Sequence, residues 1–145
     1  MKFVIQRVKQ ANVKVSNKIV SEISKGLVVL IGISSEDTIS IADYMINKLI
    51  NMRIFEDING KMNLSLLNIN ADILIVSQFT LYADCSSGNR PSFSKAAKPE
   101  FAENLYNYII QKISEKVSNV SSGIFGANME VSLINDGPVT IVLEK

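Results

Sequence analysis

Two hydroxyls, an amide and an aromatic ring follow one another directly after the apolar run 73–76. The four side chains belong to Ser77, Gln78, Phe79 and Thr80. Strand ends are where α/β proteins place ligand-binding groups, so these residues are candidates for a catalytic or binding site. Spacing alone favours a simpler explanation, in which the hydroxyls only satisfy backbone groups at a polar strand end.

A second candidate is the sequence Asn-Asp-Gly-Pro-Val-Thr at 135–140. Gly137 has no side chain, and Pro138 fixes its own φ and removes a donor. Such a pair can present rigid carbonyls to a ligand, above all across a cis bond. An ordinary hairpin turn explains the same residues, and only about 5–6% of X-Pro bonds are cis in folded proteins. The residues alone therefore favour the turn.

The segment 88–95 contains two cations, several hydroxyls and an aromatic ring. Side chains of these kinds contact phosphates and stack on bases in nucleic-acid-binding proteins. Solvated charges on a loop are the commoner explanation of such a segment. The lone Cys85 has no histidine to activate it, so we expect no nucleophilic role for its thiol.

The chain of 145 residues contains no histidine. Hydrolases with a catalytic histidine, and metal sites with histidine ligands, are therefore excluded. No Asp-rich loop has the spacing of a calcium site, so we expect neither a metal nor a cofactor. Because the net charge is only +1, any contact with RNA depends on a local patch and not on the field of the whole protein.

The composition also indicates a compartment. A single cysteine is typical of a reducing environment. The apolar stretch at the N-terminus is too short for a signal peptide, and no apolar run approaches the roughly 20 residues that cross a bilayer. We therefore expect a cytoplasmic protein without a membrane partner.

The elements that must position these residues are mostly strands. Apolar runs and alternating segments predict strands at 3–8, 11–15, 19–23, 26–33, 53–56, 72–81, 129–134 and 139–143. Two further segments have helical spacing: one is capped by Asp37 or Thr38, and the other begins near Pro99. This order predicts a mixed, β-rich α/β fold, a single compact domain over residues 1–145 with two main helices packed on a β-sheet.

Taken together and in this order, several segments resemble the D-aminoacyl-tRNA deacylase family, also called D-tyrosyl-tRNA(Tyr) deacylases. The matching segments lie at 5–8, 53–55, 60–63, 76–81, 90–93, 123–129 and 135–140. They extend from the first predicted strand to the last, so the resemblance covers essentially the whole chain. The motifs Ser-Gln-Phe-Thr and Gly-Pro-Val-Thr, both present in one chain of this length, are highly specific.

The resemblance implies the fold of that family and an enzyme that hydrolyses the ester bond between a D-amino acid and tRNA. It implies a homodimer whose active sites lie at the interface, with no cofactor. It also implies that a cis Gly137–Pro138 element reaches into the partner's pocket, supported by Arg7. The residues that the resemblance assigns to the pocket for the terminal adenosine and its amino acid are Ser77, Gln78, Phe79 and Thr80, with Phe125 and Met129 as walls.

Chirality selection and mechanism follow from these assignments. A rigid Gly-Pro element can fill the space that an L side chain needs, so a D-substrate fits, and so does glycine on a noncognate tRNA. Because the site contains no histidine, we expect the 2′-hydroxyl of the terminal ribose to assist hydrolysis. The backbone N–H groups of Phe79 and Thr80 would stabilise the oxyanion. The competing mechanism makes Thr80 a covalent nucleophile, which requires a general base that the sequence lacks.

Functions of other classes stay open at this point. A non-catalytic module that binds the end of tRNA would keep the same pocket without turnover. A small-metabolite hydrolase or deaminase with zinc would need histidine or cysteine ligands, of which the chain has one. A purely structural dimerisation domain would leave the two motifs without a purpose.

Overall fold

The computed structural model describes all residues of the chain, 1–145. It contains eight strands, two α-helices and one short 3₁₀ helix, which we label η1. In chain order the elements are β1 (Lys2–Val15), β2 (Lys18–Ile23), β3 (Gly26–Gly32), α1 (Ile39–Asn51), β4 (Phe55–Glu56), β5 (Met62–Leu64), β6 (Asp72–Ser77), η1 (Phe79–Tyr82), α2 (Pro99–Ser114), β7 (Val120–Ser122) and β8 (Glu130–Glu144). The predicted β-rich mixed fold with two main helices is confirmed.

β1 is the centre of a six-stranded sheet. It pairs with β8 along almost its whole length, and on its other edge with β3 through residues 2–8 and with β2 through residues 11–15. These pairings are antiparallel, whereas β3, β6 and β7 are parallel neighbours. β7 also approaches β2, where the Ser21 hydroxyl donates a hydrogen bond to the Ser122 carbonyl. The sheet therefore bends round towards a barrel.

The last strand corrects the prediction for the Gly-Pro motif. Two strands joined by a hairpin turn were expected there, but both halves of β8 pair with β1. Residues 136–139 lie between the pair Val8–Asn135 and the pair Gln6–Thr140 and have no partners in this ladder. They form a bulge, in which extra residues leave one strand while the pairing continues on either side. The predicted hairpin turn is wrong, because the chain does not reverse.

Two other predicted boundaries differ from the structure. The predicted strands 3–8 and 11–15 form one continuous β1: the exposed Lys9 and Gln10 interrupt the apolar pattern, but the pairing with β8 resumes at Gln10. The predicted strand 72–81 ends at Ser77, and η1 follows it. Gly32 lets η1 lie close to β3, since a Cβ on this residue would be 2.9 Å from the Cβ of Leu81.

Two apolar cores hold the sheet from its two faces. The larger one, of 23 buried residues, lies between the sheet and the helices. The smaller one, of seven buried residues, lies on the other face, because alternate side chains of a strand point to opposite faces. As predicted, α1 is capped by the Thr38 hydroxyl and α2 begins at Pro99. Neither helix is long and apolar enough to cross a membrane.

Candidate active site

The carboxyl end of β6 is the rigid base of the site. β6 lies between β3 and β7, and its residues from Ile73 to Val76 are at most 1% exposed. Just beyond the strand, the backbone N–H of Gln78 donates a hydrogen bond to the carbonyl oxygen of Ile31 at 2.7 Å. The residues that follow Ser77 therefore leave the sheet from a fixed point, where ligand-binding groups are expected in an α/β fold.

A pocket of about 400 Å³ opens beside this strand end. Ser77, Gln78 and Phe79 line it, together with Phe125 from the loop after β7. The first turn of α2 and the segment before it close the pocket, and most of the lining residues are apolar. An apolar pocket with a few polar groups suits a ligand that has a flat or apolar part and a small polar part.

The polar groups of the site are hydroxyls, an amide side chain and backbone amides. The Gln78 side chain donates a hydrogen bond to the Thr80 hydroxyl, which is exposed at the edge of the pocket. Within η1 the Leu81 amide donates to the Gln78 carbonyl at 3.2 Å. The amides of Phe79 and Thr80 precede this bond, so they have no acceptor within the turn. No three His, Cys, Asp or Glu side chains are grouped so that they could hold a metal ion.

Aromatic packing fixes the wall opposite the strand end. The ring of Phe125 lies 5.8 Å from the ring of Tyr106, which belongs to α2. The Tyr106 hydroxyl donates to the Ile75 carbonyl of β6 at 2.8 Å. Burial raises the pKa of Tyr106 well above its usual value, so the phenol stays protonated and keeps this bond. One side chain thus ties α2 to the strand that ends in the site.

Arg7 connects three parts of the chain behind the Gly-Pro bulge. Only 4% of this residue is exposed. Its guanidinium donates to the Ile54 carbonyl at 2.7 Å and to the Asp136 carbonyl at 3.1 Å. It also lies 3.3 Å from the Asp136 carboxylate and 3.5 Å from that of Glu56. Arg7 therefore fixes the residue that directly precedes Gly137.

The Gly137–Pro138 element lies at the surface of the bulge. Its peptide bond is cis, and Gly137 has a φ of +125°, which favours glycine. A Cβ at this position would lie 2.9 Å from a methyl carbon of Val139 and 3.2 Å from the Arg7 guanidinium. Both residues of the element are exposed, and neither lines the pocket of the same chain.

The family model described as D-Tyr-tRNA(Tyr) deacylase matches residues 4–144. The chain belongs to this family. A protein named D-aminoacyl-tRNA deacylase from Thermosipho melanesiensis is 56% identical over 145 residues, which cover 99% of this chain and 97% of that protein. A protein of the same name from Clostridioides difficile is 52% identical over 144 residues, with the same coverage of both chains.

Two solved structures share the fold of this chain. The structure of the c-Myc DNA Unwinding Element Binding Protein is 42% identical, with a TM-score of 0.95, and the match covers 100% of this chain and 99% of that chain. The structure of a probable eukaryotic D-amino acid tRNA deacylase has a TM-score of 0.85 at 20% identity, covering 98% and 97%, and shows the shared fold. The family and the fold predicted from the motifs are both confirmed.

Within one deacylase chain the predicted site residues do not all meet. The pocket contains three of the four strand-end residues and Phe125, whereas Thr80 lies at its edge. Met129 packs against the smaller core beside Gly123 and does not line this pocket. Sequence reasoning missed Ala97 and Ala102, which line the pocket at the start of α2. Ala102 has the helical spacing of an ordinary core residue, and Ala97 lies before the helix, where no pattern marks it.

Proposed function

We propose that the chain hydrolyses the ester bond of D-aminoacyl-tRNA and releases free tRNA and the D-amino acid. The observation that carries this proposal is the pocket at the end of β6, lined by Ser77, Gln78 and Phe79, in a member of the deacylase family. Its flat aromatic walls suit the terminal adenosine, and its few polar groups suit the ester and the amino group. The substrate places the protein in the cytoplasm, where aminoacyl-tRNA is used.

We further propose that the active form is a homodimer with active sites at the interface. Val142 of β8 is 66% exposed, and it lies opposite Val4, which in turn lies opposite Leu30. These three side chains form an apolar strip across three strands, on the face of the sheet away from the helices. A second copy on this face would bury the strip, and contiguous exposed apolar surface is typical of interfaces.

The dimer is tested by a charge within the strip. Val142→Lys should yield a monomer in sedimentation velocity and abolish deacylation, because the interface would then bury an unpaired charge. Ile58→Lys is the matched control, since Ile58 is a fully exposed apolar residue in a turn away from the strip. A dimeric and fully active Val142→Lys variant would contradict the proposed interface.

The partner's Gly-Pro element is the proposed chiral filter. Gly137 and Pro138 are exposed and lie outside the pocket of their own chain, so a neighbouring chain is needed to bring them to a pocket. Their backbone would occupy the space that the side chain of an L-amino acid requires, whatever that side chain is. Glycine has no side chain to reject, so glycyl-tRNA mischarged on a noncognate tRNA would also be hydrolysed.

The chemistry we propose uses the RNA itself. A water molecule adds to the ester carbonyl carbon, the bond from that carbon to the ribose oxygen breaks, and the departing ribose oxygen takes up the proton that the water loses. The neighbouring 2′-hydroxyl would orient or polarise the water, and the free amides of Phe79 and Thr80 would donate to the oxyanion. Removing the 2′-hydroxyl from the terminal adenosine should therefore lower the single-turnover rate about a hundredfold or more.

A covalent role for Thr80 is the alternative mechanism. Its hydroxyl accepts a hydrogen bond from Gln78, whose amide is not a base, and an unactivated hydroxyl is a weak nucleophile at neutral pH. Thr80→Val should keep turnover within about tenfold of the wild type, and Thr80→Ser is the conservative control. Abolished turnover with retained substrate binding in Thr80→Val would refute the RNA-assisted mechanism.

A non-catalytic module that binds the tRNA end is the alternative from another class. It would bind D-tyrosyl-tRNA with the same affinity as uncharged tRNA and leave its ester intact. Single-turnover hydrolysis with excess protein separates the two possibilities. If the half-life of the bound ester equals that of the free ester, the chain is a binding module and the proposed activity is wrong.

A further inference from the structure

The segment 84–98, which we call the rim segment, lies along one side of the pocket. It is held at both ends: Asp84 and Ser92 exchange backbone hydrogen bonds of 2.8 and 2.9 Å, and the Ala97 amide donates to the Ile33 carbonyl at 3.0 Å. Its residues 85–95 are exposed. Phe93 and Ala97, from the same segment, line the pocket. The rim segment therefore holds an exposed surface in a fixed position next to the pocket.

The rim segment has a net positive charge, whereas the rest of the chain is nearly neutral. It contains three of the 15 basic residues and one of the 14 acidic residues, which leaves 12 basic against 13 acidic residues elsewhere. Lys95 forms an ion pair of 3.4 Å with Asp84. Hydrogen bonds from Ser86, together with Lys95, lower the pKa of Asp84 to about 2, so this pair stays ionised. Two cations of the segment are then left over.

These two cations, Arg90 and Lys98, have no carboxylate partner in the structure. Neither side chain takes part in an ion pair. Lys98 lies directly between Ala97 and Pro99, which both line the pocket. It precedes the first residue of α2 without a side-chain capping bond, a position where a positive charge does not favour the helix. Stability of the helix therefore does not explain this lysine.

An exposed aromatic pair, to which the rim segment contributes Phe93, lines the pocket. The rings of Phe79 and Phe93 are 5.1 Å apart and edge to face, and the residues are 58% and 37% exposed. Exposed rings beside unpaired cations are the combination that binds single-stranded nucleic acid, because bases stack on the rings and phosphates contact the cations. Neither feature alone would indicate a ligand, but the rings line the pocket and both cations belong to the segment that borders it.

We propose that the rim segment binds the single-stranded 3′ end of the tRNA, as an extension of the pocket. This proposal rests on the proposed function, in which the pocket holds the terminal adenosine. The base next to that adenosine stacks on Phe93, and Arg90 and Lys98 contact the phosphates of the adjoining nucleotides. Affinity for tRNA in this near-neutral protein then comes from two charges and one ring, and not from a general positive surface.

Two esters of different size test this assignment. D-tyrosyl-tRNA contains the adjoining phosphates, whereas the D-tyrosyl ester of free adenosine contains none. Arg90→Gln combined with Lys98→Gln should lower kcat/KM for the tRNA ester about tenfold through KM, with kcat and the hydrolysis of the adenosine ester unchanged. Between about 50 and 200 mM salt, the slope of log kcat/KM against log salt should become shallower by roughly 1.4, the value for two phosphates of a single strand.

A matched control separates local contacts from net charge. Lys18→Gln combined with Lys116→Gln removes the same charge from exposed lysines that form no ion pair. Lys116 follows the far end of α2, a helix of 16 residues that is about 24 Å long. The control should keep the wild-type kcat/KM and salt slope. If it loses as much as the rim variant, or if the rim variant loses nothing, the assignment is wrong.

Binding of an oligonucleotide that carries no amino acid tests the assignment independently of catalysis. A fluorescent single-stranded RNA ending in CCA should bind the rim variant about tenfold more weakly than wild type, and Phe93→Leu about fivefold more weakly or worse. If the wild type hydrolyses neither ester but binds the RNA through these residues, the proposed activity fails and the rim assignment stands. Equal RNA binding by wild type and both variants would overturn the assignment.

Discussion

Replacement of Arg7 by methionine should destabilise the protein and disable the Gly-Pro element together. The substitution keeps a long side chain in a site that is 4% exposed but removes the donors to the Ile54 and Asp136 carbonyls. A buried acceptor left without a partner costs about 1–3 kcal/mol, and a lost hydrogen bond to a charged group contributes about 1.5–3 kcal/mol. Both costs arise from the same hydrogen bonds of Arg7, so they are not added in full.

The two carboxylates near Arg7 determine the largest loss in the free energy of unfolding that we expect. Breaking a fully buried ion pair costs about 3–5 kcal/mol, because it leaves a charge without water. The side chains of Glu56 and Asp136 are 58% and 27% exposed, so both carboxylates are rehydrated when Arg7 is removed. We therefore expect a loss of about 3 kcal/mol, out of the roughly 5–15 kcal/mol that holds a domain folded. Arg7→Lys should lose less, since an ammonium keeps the charge but not the fork of donors.

Urea unfolding followed by circular dichroism measures the free energy, and deacylation of D- and L-tyrosyl-tRNA measures the function. The Arg7→Met variant should remain folded at 25 °C yet discriminate less between the D- and L-esters, because Asp136 no longer fixes Gly137. Lys9→Met, an exposed residue of the same strand, is the control and should change neither quantity. A free energy within about 0.5 kcal/mol of wild type, the range of ordinary surface substitutions, would refute this reasoning.

Three further substitutions test other parts of the account. Gly137→Ala should weaken both folding and D-selective deacylation. The φ of this residue is +125°, and the new Cβ would lie 2.9 Å from a methyl carbon of Val139. An unchanged ratio of the D- and L-ester rates would count against the role of the bulge. Tyr106→Phe should cost about 1 kcal/mol in urea unfolding, since the Ile75 carbonyl loses one donor but keeps another; a loss above about 3 kcal/mol would be inconsistent. Thr38→Ala should cost about 1 kcal/mol through the lost helix cap and leave kcat/KM unchanged, and altered kinetics would show that α1 reaches the site.

Local signals in the sequence predicted the helix starts and the polar residues at the end of β6, but they placed the end of the strand at residue 81 instead of Ser77. A hydroxyl at Thr38 and a proline at 99 have physical effects within one helical turn, so a short window contains the information. The same is true of the polar residues after 73–76, where the change from apolar to polar marks the end of β6. These features need no knowledge of distant parts of the chain.

The bulge and the composition of the pocket depend on distant contacts. Whether the Gly-Pro segment forms a turn or a bulge depends on both flanking segments pairing with β1, more than 110 residues away, and no short window contains that pairing. The role of Ala97 and Ala102 in the pocket was missed, because the sequence does not show that α2 begins beside the strand end. The arrangement of Arg7 behind the bulge likewise depends on three separate segments.

The most direct test of the proposed activity is the hydrolysis of matched D-tyrosyl- and L-tyrosyl-tRNA by the purified protein, with a chelator present. Our account predicts rapid loss of the D-ester, while the L-ester decays at its spontaneous rate and the chelator has no effect. Equal hydrolysis of both esters would contradict the Gly-Pro filter. Intact D-ester in the presence of bound tRNA would contradict the proposed activity itself.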